Sequence, residues 1–232
     1  EITNFEDSLR RRLAILAGTP VSALQRVYEH RLRLNPGALQ LLAYARWDGL
    51  KILLISGGFT YFTDRLKPRL GLDFTRSNQL EIENDRLTGR VIGPVIDQHA
   101  KRDTVAEVCR QIGCAHEQVI AVGDGANDLE MMKLAGLSVA YRAKPKVREF
   151  ANVSIDSGGL DRLLINDGTR SYALKRFLVV QLKRIQRSDA LSALVAVRND
   201  LQARIPGLTG TEKANSVDLL NRVNQALSPY FN

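Results

Sequence analysis

The spacing of apolar residues along the chain changes twice. From Phe5 to Gly49 apolar residues recur at helical intervals, and Pro20 and Pro36-Gly37 interrupt them, which predicts short amphipathic helices. The apolar positions of these helices are Leu9, Leu13, Leu16, Val21, Leu24, Val27, Leu39, Leu42 and Ala45.

After Asp48-Gly49 the pattern becomes short apolar runs, each ended by glycine or by a polar turn. Helical patterns separate these runs, and strands that alternate with helices predict a parallel sheet covered on both faces. The predicted fold class is therefore α/β with a doubly wound parallel sheet. The predicted strands are Lys51–Ile55, Gln118–Val122, Leu137–Tyr141 and Val153–Ile155, and the predicted helices are Phe62–Leu70, Lys101–Ile112 and Asp128–Leu134.

Two further features complete the predicted organisation. Residues 80–83 and 87–91 flank Asn84-Asp85, which predicts a small β-hairpin beside the main sheet. From about Asp167 onward we expect only helices: one from Tyr172 to Gln186, a second from Ser188 to Arg204, and a third after Pro206-Gly207. The domain assignment is a helical cap in 1–46, a core with the hairpin in 47–166, and a basic α-helical extension in 167–232.

Composition narrows the class of protein. The chain has 232 residues, of which 44% are hydrophobic and 25% charged, so it is predicted to fold and is neither disordered nor collagen-like. No apolar run reaches the length of a membrane span, and the start does not follow the plan of a signal peptide. Cys109 and Cys114 have only His116 nearby, which does not complete a four-ligand site. We expect a reduced cytoplasmic protein.

The net charge of +8 comes mostly from the tail, where residues 167–232 contribute +5. This balance favours anionic partners but does not choose among them. Lys175-Arg176, Lys183-Arg184 and Arg187 alternate with apolar residues, and we interpret them as the solvated face of a packed helix. Nucleic-acid or membrane-surface contact is the less favoured interpretation. The small number of aromatic residues available for base stacking also argues against binding of single-stranded nucleic acid.

Three segments could carry chemistry. Asp124 follows a predicted buried strand, and Asn127 and Asp128 open the next helix, on the side where α/β sheets bind ligands; such oxygen donors suit Mg²⁺. Ser56-Gly57-Gly58 also follows a strand and could present a hydroxyl and backbone N–H groups to a phosphate. Lys101, at a predicted helix start, could neutralise phosphate charge. Taken singly, each has an ordinary explanation: a helix cap, a strand-to-helix turn and a surface lysine.

The order and spacing of the three segments together resemble motifs two, three and four of the haloacid dehalogenase (HAD) superfamily of phosphatases. Residues 5–164 are similar to the phosphoserine phosphatases of that superfamily. The residues that carry this resemblance are the opening Phe5-Glu-Asp-Ser-Leu-Arg-Arg-Arg12, Ile55-Ser-Gly-Gly-Phe59, the hairpin end Leu87-Thr-Gly89, Gly123-Asp-Gly-Ala-Asn-Asp128 and Ala143-Lys-Pro-Lys146.

The resemblance implies a role for each matched residue. Ser56 and the Gly57 N–H would bind phosphate, Lys101 would hold phosphate and nucleophile together, and Asn127 would lie near the phosphate. Asp124 would ligate Mg²⁺, and Asp128 would support the water shell of the ion. Arg12 would pair with the substrate carboxylate and Phe5 would close over the substrate, whereas without the resemblance they would be interpreted as a solvated arginine and a core aromatic.

The sequence departs from the family at its first motif, an Asp-x-Asp-x-Thr/Ser that follows an apolar strand and supplies the nucleophile. No two aspartates here are separated by one residue. The missing strand is central in the family's sheet, so its loss is expected to leave two neighbouring strands unpaired. Either the sequence starts within the cap and the motif lies upstream, which we favour, or the chain is a natural pseudophosphatase or one half of a split enzyme.

The expected function is Mg²⁺-dependent hydrolysis of a small phosphorylated amino acid, most simply O-phosphoserine to serine and phosphate, the last step of serine biosynthesis. The nucleophilic aspartate would come from outside this chain, so the chain alone is expected to be inactive. The alternative is a catalytically dead or split module that binds a phosphorylated ligand and uses its basic tail to bind an anionic partner.

Overall fold

The computed structural model describes two continuous stretches, residues 5–164 and 177–180, and parts of the C-terminal region. The C-terminal residues described are 202, 205–207, 209–210, 213–214, 217–218 and 220–221. The helices are α1 (Phe5–Ala14), α2 (Val21–His30), α3 (Ala38–Trp47), α4 (Thr60–Leu70), α5 (Gln98–Ile112), α6 (Leu129–Leu134) and α7 (Pro145–Phe150). The strands are β1 (Lys51–Phe59), β2 (Phe74–Glu83), β3 (Arg86–Ile92), β4 (Val119–Gly123), β5 (Leu137–Tyr141), β6 (Val153–Ile155) and β7 (Phe177–Val180).

The described residues form two compact units. The first draws on Glu1–Leu32, Gln79–Gly93 and Ile185–Asn232, and the second on Arg33–Asn78 and Pro94–Arg184. The α/β class predicted from the sequence is confirmed by the second unit, where parallel strands alternate with helices. Within the described part of the chain, no helix combines the length and the apolar character needed to cross a lipid bilayer.

The first unit contains α1, α2 and the predicted hairpin. Asn84 and Asp85 have φ values of 47° and 58°, the left-handed pair that a two-residue hairpin turn requires. β3 packs against α1, and at Gly89 (φ 86°) a Cβ atom would lie 3.0 Å from the Cβ of Ala17. Glycine is therefore required where the hairpin meets the end of the helix.

The sheet of the second unit runs in the order β2-β1-β7-β4-β5-β6, and all neighbours in it are parallel. Strands β4, β5 and β7 are buried along their whole length, as expected for a sheet covered on both faces. One face packs on α5 and α6, with Val105, Cys109 and Met131 in the core. The carboxyl ends of β1, β4 and β7 consequently meet at one edge of the sheet.

The centre of this sheet corrects two predictions. Phe177–Val180 lies in the predicted helix Tyr172–Gln186, yet it forms β7, and it pairs with both neighbours: Leu54 lies opposite Val180, and Ala121 opposite Val179. The expectation that two strands would be left unpaired is wrong for the same reason. Four consecutive apolar residues suit a fully buried strand as well as a helix, and periodicity cannot separate the two.

The remaining predictions for the tail fall largely outside the described residues. This holds for the basic residues of 175–187 and for the helix Ser188–Arg204, of which only residue 202 is described, in helical conformation. The predicted break is a short 3-10 turn at Ile205–Gly207, and residues 217, 218, 220 and 221 are helical, as predicted for the third helix.

Helix α3 differs from its predicted packing. Leu39 was expected on the buried face but is 58% exposed, because the residues that pack inward are Ala38, Leu41, Leu42 and Ala45. The predicted positions Leu42 and Ala45 are buried as expected, and only Leu39 lies outside the buried stripe. Trp47 ends the helix at 80% exposure, with its ring 5.6 Å from that of Tyr44.

Candidate active site

Two segments singled out in the sequence lie at the same edge of the sheet. Ser56 lies in the last part of β1 and Asp124 directly follows β4, and these strands flank β7. Since neighbouring strands are about 4.8 Å apart, β1 and β4 are about 10 Å apart. Ser56 is two residues beyond Leu54, the partner of Val180, so it lies past the end of β7. The Ser56 and Asp124 segments therefore lie at the same edge of the sheet, one on each side of the central strand β7.

A buried ion pair lies beneath this edge. The Lys101 Nζ donates to Asp128 Oδ1 at 2.8 Å, and both side chains are 0% exposed. The interpretation of Lys101 as a surface lysine is therefore wrong. Removal of one partner of such a pair costs about 3–5 kcal/mol, because the other charge is left buried and unpaired. The pair fixes α5, which carries Lys101, against the loop after β4.

Asp128 also shapes the loop that presents Asp124. Its Oδ2 accepts hydrogen bonds from the backbone N–H groups of Asp124 and Gly125, both at 3.1 Å. Its side chain makes no capping bond to α6, but its bond to the Gly125 N–H caps the short 3-10 turn Ala126–Asp128 that precedes this helix. The Asp124 carbonyl accepts from the Lys144 N–H at 3.1 Å, so the backbone of Asp124 is held at both its N–H and its C=O.

The glycines around Asp124 permit this close packing. A Cβ at Gly123 would lie 2.6 Å from the Asp128 Cβ, and one at Gly125 would lie 2.5 Å from the Asn127 Oδ1. At Gly123 the neighbour is the Cβ of Asp128, so a side chain there would require the loop to move, whereas at Gly125 rotation of the Asn127 side chain would relieve the contact. Gly123 is thus a packing requirement of the loop as well as part of a motif.

The Ser56 segment leaves the regular strand pairing. Ile55 lies opposite Arg76 and Phe59 opposite Asn78, so β1 advances four residues while β2 advances two. Within this bulge the Ser56 Oγ accepts the Gly58 N–H at 2.9 Å, which leaves the hydroxyl hydrogen able to donate. Ser56 and Gly57 are each half-buried, which is compatible with contact to a small anion.

Sequence reasoning missed Asn78, which is 2% exposed and contacts the bulge directly. Its Nδ2 donates to the carbonyls of Gly57 and Gly58 at 2.9 and 3.2 Å, and its Oδ1 accepts the Ile96 N–H at 2.8 Å. Its sequence position, two residues before the predicted hairpin strand 80–83, gives no local signal of this role.

The two residues predicted to contact the rest of the substrate belong to α1 of the first unit. Phe5 is half-buried, and Arg12 is exposed with its Nε donating to the Ser8 carbonyl at 3.0 Å. Their contact with substrate stays a prediction.

Cys109 can be excluded as a reactive group of this region. Burial, with a smaller contribution from neighbouring Cys114, raises the pKa of the Cys109 thiol to about 12. The thiol is therefore neutral near pH 7, and only a thiolate is an effective nucleophile or metal ligand. Neither cysteine forms a disulfide.

The donors available to a metal ion are few. Among the described residues there is no cluster of three or more histidine, cysteine or acidic side chains that could enclose an ion. Asp124, half-buried at the strand end, is the carboxylate placed at the edge, and Asp128 lies behind it. This oxygen set fits Mg²⁺, which takes one or two protein carboxylates and keeps several waters, better than a metal that needs a full protein cage.

Comparison with known proteins gives a consistent result. A family model for haloacid dehalogenase-like hydrolases matches residues 2–133. A phosphoserine phosphatase of Albidiferax ferrireducens is 55% identical over 168 residues, which are 71% of this chain and 71% of that protein.

Solved structures agree. The unliganded crystal structure of a probable phosphoserine phosphatase from Vibrio cholerae is similar with a TM-score of 0.68 and 43% identity, and the match covers 74% of this chain and 52% of that one. A substrate-bound phosphoserine phosphatase complex is similar with a TM-score of 0.67 and 34% identity, with 70% and 77% of the two chains covered. The chain thus spans about half of the Vibrio cholerae protein.

Proposed function

The chain belongs to the haloacid dehalogenase-like hydrolases, and within them to the family of the phosphoserine phosphatases, and from this premise we propose that its site binds O-phosphoserine and serves the hydrolysis of that ester. The observation that carries the proposal is the buried Lys101–Asp128 pair, which holds a cation behind the edge where Ser56 and Asp124 lie. The products of the reaction would be serine and phosphate, as in the last step of serine biosynthesis.

The phosphoryl group would be bound by residues of the second unit. The Ser56 hydroxyl and the Gly57 N–H are the proposed donors to its oxygens, with Asn127 close by. The Lys101 ammonium donates to Asp128 and is 0% exposed, so it would offset phosphoryl charge electrostatically from behind the edge. Such fixed donors stabilise the charge that develops during transfer of the phosphoryl group.

Mg²⁺ would be held by Asp124, and Asp128 would support its water shell. When bound, the ion supplies further neutralisation of the phosphoryl oxygens. Asp128 would support the water shell from a fixed position, because its oxygens already accept hydrogen bonds from Lys101 and two backbone amides.

The amino-acid part of the substrate would be recognised by α1. Arg12 offers a planar fork of donors that suits the substrate carboxylate, and Phe5 would cover the bound molecule. A small, doubly anionic substrate also agrees with the positive net charge of the chain.

A second candidate function is binding of the phosphorylated ligand without its hydrolysis, and β7 favours it. The family's nucleophile follows a central strand, and here the central strand β7 is followed in sequence by Gln181-Leu182-Lys183, which contains no carboxylate. Without a carboxylate in that place no covalent phosphoryl intermediate can form there. Turnover would then require a strand that carries the motif and comes from outside these residues.

Calorimetric titration with O-phosphoserine, with and without Mg²⁺, tests the proposed site in either case. We expect binding that Mg²⁺ strengthens, and a loss of about tenfold or more, equivalent to about 1.4 kcal/mol, in Asp124→Asn. Glu130→Gln is the matched control, since it removes one negative charge from α6 at a residue that pairs with Lys133 instead. Binding that neither Mg²⁺ nor Asp124→Asn affects would show that the site is assigned wrongly.

A further inference from the structure

Asn78 occupies a place in the sheet where the strand pairing fails. Because β1 bulges between Ile55 and Phe59, the carbonyls of Gly57 and Gly58 are displaced from the regular ladder with β2. Buried carbonyls without a donor are costly. The Asn78 amide nitrogen supplies both missing donors, at 2.9 and 3.2 Å.

The other end of the same amide group reaches the segment that leads into α5. The Asn78 Oδ1 accepts the Ile96 N–H at 2.8 Å, and the next residue, Asp97, caps α5 by accepting the Ala100 N–H at 2.8 Å. Lys101 follows within that first turn, and its own N–H donates to the Asp97 carbonyl at 3.0 Å. One buried side chain thus connects the Ser56 bulge with the start of the helix that carries Lys101.

This connection uses both ends of the asparagine amide, the nitrogen as donor and the oxygen as acceptor. Two N–H donors go to the bulge and the carbonyl oxygen goes to residue 96, at 2% exposure. Aspartate has the same shape but no donor when ionised, and serine cannot span both segments.

We infer that Asn78 is a positioning residue, which sets the distance between the Ser56–Gly58 bulge and Lys101 and thereby the affinity of the site for a phosphoryl group. The inference rests on the proposed function, in which these two segments bind the same phosphoryl group. Asn78 itself makes no contact with the ligand in this account.

The experiment is titration of the protein with inorganic phosphate, monitored by calorimetry, on the wild type and three variants. Asn78→Asp keeps the shape and turns both donors into acceptors that face the Gly57 and Gly58 carbonyls, and Asn78→Ser removes the link with less repulsion. Ser77→Ala is the matched control. Ser77 is the preceding residue and is 8% exposed, and its hydroxyl forms a 2.7 Å hydrogen bond with Thr63 that the substitution removes.

We expect both Asn78 variants to bind phosphate about 10- to 100-fold more weakly, the range known for residues that orient metal ligands, while Ser77→Ala binds as the wild type does. A thermal unfolding curve for each variant separates lost affinity from lost fold. In Asn78→Asp the ratio of wild-type to variant affinity should shrink as the pH falls, because a protonated carboxyl group regains one donor. A purely structural role would not produce that pH dependence.

Two results would overturn the inference, and a third would overturn its premise. Folded Asn78 variants with wild-type affinity would show that Asn78 does not position the site. Unfolded Asn78 variants beside a folded Ser77→Ala would make Asn78 a folding determinant. A wild-type protein that binds no phosphate at all would instead contradict the proposed function.

Discussion

At the scale of single residues, Lys101 and Asp128 form a fully buried ion pair, which the sequence alone does not reveal. A lysine at a helix start is ordinarily solvated, and the partner that allows its burial is 27 positions away. The order of the three motifs pointed to both residues, yet the hydrogen bonds of Asp128 to the Asp124 loop could not be predicted. They depend on the close approach that Gly123 permits.

Lys101→Met should destabilise the protein by about 3–5 kcal/mol, because the buried Asp128 carboxylate would lose the cation that neutralises it, although its hydrogen bonds to two backbone amides remain. Urea denaturation measures the change. Lys133→Met is the matched control: Lys133 pairs with Glu130 at 2.7 Å, but its side chain is 53% exposed, so its loss should cost at most about 1 kcal/mol. Equal effects of the two substitutions would contradict the burial of the pair.

Cys109 should make stability fall at alkaline pH. Its pKa is raised from 9.0 to about 12 by burial, so the folded protein keeps the proton that the unfolded chain releases. The stabilisation is complete below pH 9 and is lost as the pH rises from 9 towards 12. Denaturation of the wild type and of Cys109→Ala at several pH values tests this, and parallel pH profiles for the two proteins would refute it.

At the scale of elements, the hydrophobic pattern predicted most strands and helices and failed at β7. Strands β5 and β6 have the predicted bounds, and the Asn84-Asp85 turn joins the hairpin as expected. Those predictions succeeded because a glycine or a polar turn marks the end of each of these apolar segments. Phe177–Val180 has no such boundary, since Leu174, Leu178 and Leu182 continue a helical spacing through it. A strand is favoured here only because β1 and β4 would otherwise have no strand between them. This requirement of the whole sheet cannot be recognised in the local sequence.

Phe177→Ala tests whether β7 lies in the core. Phe177 is 0% exposed, so removal of its ring should cost about 3–5 kcal/mol in the free energy of unfolding. Val217→Ala is the control from the same tail, since Val217 is 38% exposed and its truncation should change stability by about 0.5 kcal/mol or less. A cost below about 1 kcal/mol for Phe177→Ala would argue that these residues do not form a central strand.

At the scale of the whole molecule, the residues assigned to phosphate and to Mg²⁺ all belong to the second unit, whereas Phe5 and Arg12 belong to the first. The family resemblance accounts for both groups from sequence. It did not predict that part of the tail would complete the sheet between β1 and β4. In the family, the strand that carries the nucleophile is expected at that position. Binding of the phosphorylated ligand and its hydrolysis can therefore be tested separately.

The most direct test is therefore phosphate release from O-phosphoserine in the presence of Mg²⁺, by this chain and by the same chain preceded by an apolar strand that ends in Asp-x-Asp. The prediction is release by the extended protein only, and loss of that release in its Asp124→Asn variant. Absence of release from both proteins, or release that survives Asp124→Asn, would contradict it.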